Sequence, residues 1–204
     1  MALAARHLAP LAERLLAEPP EEHDPTAPYR ARMDLTAVAG RSQKLARVFE
    51  QLEVAARVPV AVLLRGESGT GKTSLAEALH REPSRPAGPL NALHAATLPD
   101  ALSESELLGA EKGAHSTAHQ LIRGKVEAAS GGTLLLDEVG ELSPAAQAKL
   151  LGFLQTKRFM RLGGAETLPA DVRLVAATHV DLEAAVAERR FREDLYYRLN
   201  VFEI

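Results

Sequence analysis

Cysteine is absent from the 204 residues, so neither a disulfide staple nor a thiolate metal site is available. That absence is compatible with a reducing cytosol, and a cytoplasmic protein is the expectation. A basic face is missing too. The formal net charge is -3 and Lys and Arg are evenly scattered, which argues against direct DNA binding by this segment. No long apolar run is present: "MALAARHLAPLAERLLAEPP" is interrupted by Arg6, Glu13, Arg14 and Glu18, so it has no signal-peptide core and cannot span a bilayer. It reads as a short amphipathic helix. Internal repeats and low-complexity tracts are also lacking.

What remains is a composition suited to one folded domain, 46% hydrophobic and 25% charged. The Pro- and acid-rich "PPEEHDPTAP" marks a linker near residues 19 to 34, and the folded domain is expected to begin close to Asp34. Beyond it, "RSQKLARVFEQLEVAAR" has helical spacing and "VPVAVLLRG" is a buried-strand run. "KTSLAEALH" resumes helical periodicity, "PLNALHAA" can supply a strand, and "SESELLG" pairs Ser103 with Glu106 in capping-box spacing before Gly109 as a stop. "GGTLLLDE" is a second clear strand. Ser143 suits an N-cap and Pro144 the first helical position of "SPAAQAKLLGFLQ". "RFMRLGGAETLPADV" reads as a small hairpin turning at Gly163 and Gly164. "VRLVAAT", "DLEAAVAERR" and "NVFEI" follow as strand, helix and short strand. Strands alternating with helices imply a parallel, three-layer α/β domain.

Within that frame "GESGTGKT" follows a strand and opens a helix, the context that makes GxxxxGK[ST] a phosphate-binding loop. Gly66, Glu67, Ser68, Gly69, Thr70 and Gly71 form the loop, whose glycines let successive N–H groups face phosphate oxygens. Lys72 can reach the β- and γ-phosphates of ATP, Thr73 can ligate Mg²⁺, and Ser74 follows in the first helical turn. The apolar strand "TLLLDE" carries Asp137 to the sheet edge as a magnesium-shell acid, and Glu138, one residue on, can polarise an attacking water. Thr178 and His179 end the next strand, either as sensors of the γ-phosphate or simply as its polar terminus. Arg192 and Arg198 read from spacing alone as surface ion-pair residues. His115 and His119 stand at i, i+4, with no third ligand to make a metal site.

Taken together, "GESGTGKT", "SESELLGAEKGA", "GGTLLLDEVGELSPAAQAKLLGFLQ", "RLGG", "VRLVAATHVDL" and "FREDLYYRLNVF" resemble the central AAA+ domain of sigma-54-dependent transcriptional activators, from about Val38 to the end of the chain. The resemblance implies a P-loop NTPase α/β subdomain with a five-stranded, mainly parallel sheet over residues 35–204. It implies ATP sites between protomers of a ring, commonly a hexamer, with Arg192 and Arg198 as arginine fingers acting on a neighbour's nucleotide. Thr178 and His179 fall at the sensor position, where the second residue is often Asn.

The family's mobile "GAFTGA" tip contacts sigma-54 and couples ATP hydrolysis to remodelling of the RNA polymerase holoenzyme. Here Gly113, Ala114, His115, Ser116, Thr117 and Ala118 spell "GAHSTA", which changes three of the six residues. His94 stands where the family usually has the Asn that holds the catalytic glutamate inactive. The sequence stops at Ile204, so the family's helical lid and C-terminal helix-turn-helix are expected to be absent from it, and without that lid weak nucleotide binding and poor assembly are expected. Two readings stay open. One is an ATPase that remodels the sigma-54 holoenzyme; the other is a non-catalytic or sigma-54-independent nucleotide-binding regulatory module, a reduced paralogue or a fragment.

Overall fold

The computed structural model describes residues 24–82, 87–114 and 118–204. The expected N-terminal helix and the loop residues His115, Ser116 and Thr117 lie outside them. In chain order the elements are α1 (Ala27–Arg30), α2 (Gln43–Ala56), β1 (Val62–Arg65), α3 (Lys72–Arg81), β2 (Leu90–His94), α4 (Asp100–Leu108), β3 (Gly109–Ala110), β4 (Ile122–Arg123), α5 (Lys125–Ala128), β5 (Thr133–Asp137), α6 (Pro144–Thr156), β6 (Arg158–Phe159), β7 (Leu168–Pro169), β8 (Arg173–Thr178), α7 (Leu182–Ala187), α8 (Glu193–Leu199) and β9 (Phe202–Glu203).

Five strands form one parallel sheet in the order β2-β5-β8-β1-β9. The three central strands β5, β8 and β1 are mainly apolar and buried because helices cover both faces. Successive side chains alternate between two cores. Leu63, Leu134, Leu136, Leu174 and Ala176 pack with Leu107, Leu150, Phe153 and Leu195 on one side. Val62, Leu64, Leu135, Val175 and Ala177 pack with Phe49, Leu52, Leu75 and Leu79 on the other. The expected three-layer α/β architecture is therefore the observed one.

Local sequence explains three of the helix starts. Ser42 Oγ accepts from the Leu45 N–H at the start of α2, and Ser143 Oγ from the Ala146 N–H at the start of α6, with Pro144 at the first helical position. Asp181 caps α7 in the same way. The expected hairpin after α6 is present as the antiparallel pair β6 and β7.

Two expectations need correction. The start of α4 is set by Pro99, whose carbonyl accepts from the Leu102 and Ser103 N–H groups; Ser103 is thus buried one turn inside the helix and caps nothing. The capping-box spacing was one turn late, although Gly109, at φ 86°, does end the helix. The stretch expected as linker is folded from residue 24 on. Thr26 and Met33 are buried, and Arg30 donates through Nη1 to Leu35 O at 2.9 Å and through Nη2 to Val38 O and Gly40 O, both at 2.8 Å, with its guanidinium over the Phe49 ring. Polar composition suggested a spacer, but one arginine satisfies the carbonyls that such a segment must otherwise leave to water.

Candidate active site

In a parallel sheet all strands point their carboxyl ends at one edge, and here β1, β5 and β8 stop there together: Arg65 is paired with Thr178, and Asp137 with Ala177. The loop from Gly66 to Gly71 leaves β1 at that edge. Its first N–H donates to Thr178 O at 3.2 Å, and the Thr70 hydroxyl donates to Glu67 O at 2.9 Å, which fixes the turn. Gly69 and Gly71 have φ of 81° and 91° and open space where a side chain would stand. A loop with that backbone, feeding the first N–H groups of the ten-residue α3, is a cradle for an anion.

Lys72 is the first residue of α3 and is buried. Its Nζ donates to Gly66 O at 2.8 Å and Glu67 O at 3.0 Å and lies 3.8 Å from Glu138 Oε1. Thr73 is exposed and Ser74 half-buried on the same first turn. Asp137 ends β5. Its Oδ1 accepts from the Glu138 N–H at 3.1 Å, and its Oδ2 is 2.9 Å from His94 Nδ1. The oxygen donors Thr73 and Asp137 at the P-loop suit a hard cation such as Mg²⁺, which prefers few carboxylates and keeps its waters. Among the described residues no cluster of three His, Cys, Asp or Glu side chains could hold a metal ion.

Glu138 sits in left-handed backbone, φ 55° and ψ 51°, immediately before the short turn Val139–Glu141. Its Oε2 accepts from the His179 main-chain N–H at 3.1 Å and from His179 Nδ1 at 2.6 Å. An ionised carboxylate only accepts, so Nδ1 is the donor. Burial pushes the Glu138 carboxyl up. The two His179 hydrogen bonds, with the nearby His179 and Lys72 charges, outweigh it and hold the group below its ordinary value.

His94 is not the partner of Glu138. Ladder pairing sets His94 directly opposite Asp137, and there it stays. Thr178 is fully buried, its hydroxyl accepting from the Val180 N–H, while His179 is about half exposed at the edge.

The two arginines stand at opposite ends of α8. Arg192 immediately precedes its first turn without a side-chain cap bond, its Nε donating to Asp194 Oδ1 at 3.0 Å and Nη2 to Oδ2 at 2.8 Å. Arg198, in the last turn, is exposed and lines a recess with Pro59, Lys157 and Val201 by the amino ends of β1 and β8, the edge away from the chain's own P-loop.

Sequence reasoning missed the framework beneath the "GAHSTA" segment. Strands β3 and β4 pair antiparallel at its base, and Gly113 N–H donates to Ala118 O at 2.8 Å across its neck. A Cβ on Gly124 would strike the Gly109 and Leu108 backbone, so this crossing needs glycine. Arg161, from the β6–β7 loop, donates bidentately to Glu127 at 2.9 and 3.0 Å and to Glu111 Oε1 at 2.8 Å. Those bonds raise its already high pKa further, Glu127 more than Glu111. Glu111 N–H donates to Leu162 O, and Gly163 lies against Ala114. The two insertions are thus tied together.

The Sigma-54 interaction domain family matches residues 38–204. The Nif-specific regulatory protein of Rhodobacter capsulatus is 48% identical over 191 residues, 94% of this chain and 32% of that protein. That of Sinorhizobium fredii is 51% identical over 178 residues, 87% of this chain and 30% of the relative. The structure of NtrX from Brucella abortus in complex with ATP superposes with a TM-score of 0.75 at 31% identity, covering 100% of this chain and 42% of that one. The chain spans about a third of the length of these curated relatives. No helix among the described residues is long and apolar enough to cross a membrane. With residues 38–204 matched and the fold shared with a solved relative, the chain belongs to the Sigma-54 interaction domain family of P-loop AAA+ proteins.

Proposed function

We propose that this domain binds and hydrolyses ATP, and that hydrolysis drives remodelling of a sigma-54 RNA polymerase holoenzyme. The observation that carries the reading is the juxtaposition of Lys72 with Glu138 at 3.8 Å beside a glycine loop open above Gly69 and Gly71. The ATP complex of the related NtrX supports the choice of nucleotide.

On this reading the loop N–H groups and the α3 terminus hold the phosphates, and Lys72 exchanges its two loop carbonyls for β- and γ-phosphate oxygens. Mg²⁺, when bound, would neutralise developing phosphate charge, with Thr73 and Asp137 as its protein ligands. Glu138 orients and deprotonates the attacking water, a contribution of roughly 10²–10⁴ in rate. Thr178 and His179 stand at the strand end that borders the γ-phosphate. Arg198, exposed at the far edge of the sheet, and Arg192 then serve a neighbouring copy's nucleotide in a ring, as Arg fingers do by spreading charge over several oxygens. Residues 113–118 form the output tip toward sigma-54.

Steady-state phosphate release tests the assignment. Glu138→Gln is expected to lower turnover by about 100-fold or more while ATP still binds. Equal turnover of the two proteins would sink it. The changed residues His115, Ser116 and Thr117 favour a second reading, an AAA+ regulator that acts without sigma-54. Capture of sigma-54 by the protein with a transition-state-like nucleotide analogue would exclude that alternative.

A further inference from the structure

At the roots of the two surface insertions, α6, β6 and the end of α4 surround a recess of about 330 Å³ that no P-loop or strand-end residue lines. Leu108, Phe153 and Phe159, all buried, form its floor, and Met160 stands at its lip, 49% exposed. Along α6, Lys149, Gly152, Phe153 and Thr156 fall at i, i+3, i+4 and i+7, so they share the face that walls the recess. Gly152 stands well inside this 13-residue helix, where glycine is less stable than alanine. No turn or close packing calls for it: its φ is not positive, and an added Cβ would meet no neighbouring atom within 4 Å. Glycine at this position leaves the wall of the recess bare.

The charges at the recess are of one sign. Lys149 and Arg158, both exposed, are the charged residues that line it, and no carboxylate does. Arg158 donates through Nη2 to Thr167 O at 3.3 Å, and among the described residues neither cation forms an ion pair. Arg161, three residues on, is the opposite case, its donors taken by Glu111 and Glu127. An apolar floor beside two unpaired cations suits an apolar group that ends in a carboxylate. The volume lies at the lower end of small-molecule sites. Met160 is the single exposed large apolar side chain at the recess, too little for the roughly 800 Å² that each partner buries in a stable protein interface. We propose that the recess binds a medium-chain acyl carboxylate, its tail against Leu108, Gly152, Phe153 and Phe159 and its head group on Lys149 and Arg158. Leu108 runs directly into β3 and Met160 into Arg161, so the bound tail touches the roots of both insertions. This site holds or fails independently of the nucleotide chemistry.

Octanoate titrated into the intact, nucleotide-free protein is the test, read by the ¹³C methyl signals of its three methionines. The Met160 methyl is expected to shift saturably, while that of Met33, buried in the core on the other face of the sheet, stays in place. Octanol, with the same tail and no charge, is expected to bind on the order of tenfold more weakly, because two exposed ion pairs are lost. A Lys149→Gln, Arg158→Gln double variant is expected to weaken octanoate by a similar factor. Gly152→Leu places a side chain in the recess and is expected to abolish the Met160 shift, with the urea midpoint not lowered. An unmoved Met160, octanol binding as tightly as octanoate to the parent protein, or full binding by a folded Gly152→Leu variant would each overturn the proposal. A Met160 shift that follows protein concentration without octanoate would assign the recess to a second copy of the chain and overturn it as well.

Discussion

At the carboxyl edge of the sheet, Lys72, Asp137, Glu138 and His179 meet because strand ends stop at one level. At the base of the β3–β4 insertion, Glu111, Glu127 and Arg161 meet because two surface loops are clamped by a guanidinium, with no shared ladder running through all three. The first arrangement is a product of register and tolerates polar groups poised for chemistry. The second is scaffolding, and its charges are consumed by one another. Changes at the first should therefore alter turnover with little effect on stability, and changes at the second should do the opposite.

The largest effect is expected from Glu138→Gln. An isosteric change at a half-buried edge should leave urea unfolding nearly unaltered while turnover falls by roughly 10²-fold or more. A large loss of stability would mean that the edge, too, is scaffolding. Next is Gly124→Ala, whose added methyl meets the backbone of Gly109 and Leu108; repacking should cost about 3 kcal/mol in urea unfolding, with KM for ATP unchanged. Arg161→Ala should cost about 2 kcal/mol, because it leaves Glu127 and Glu111 without the donor that pairs them. If it also raised KM for ATP severalfold, the separation of the two regions would fail. The smallest is Ser143→Ala, about 1 kcal/mol from the lost cap on α6, which belongs to neither region and sets the scale for an ordinary local defect.

The same contrast explains what could be read from the chain itself. Lys72, Thr73, Asp137 and Glu138 are legible because each lies at a strand–helix junction marked by a local pattern, and so is the Ser143–Pro144 helix start. Arg161 carried no local signal: its carboxylate partners lie 34 and 50 positions away, and a spacing rule cannot join them. The start of α4 was obscured by a Ser–Glu pair that mimics a cap one turn inside the helix. His94 was matched to Glu138 by analogy of position, whereas its actual partner is fixed by ladder pairing with Asp137. The stretch from residue 24 to 33 looked like spacer because its proline and acid content hides the arginine that organises it.

That arginine has a mechanical consequence. A guanidinium is planar and rigid, so the bonds from Arg30 to the carbonyls of Leu35, Val38 and Gly40 cannot open one at a time by rotation of the side chain. One side chain thus ties the stretch before α2 together at three carbonyls, so a single substitution of Arg30 would release all of them at once.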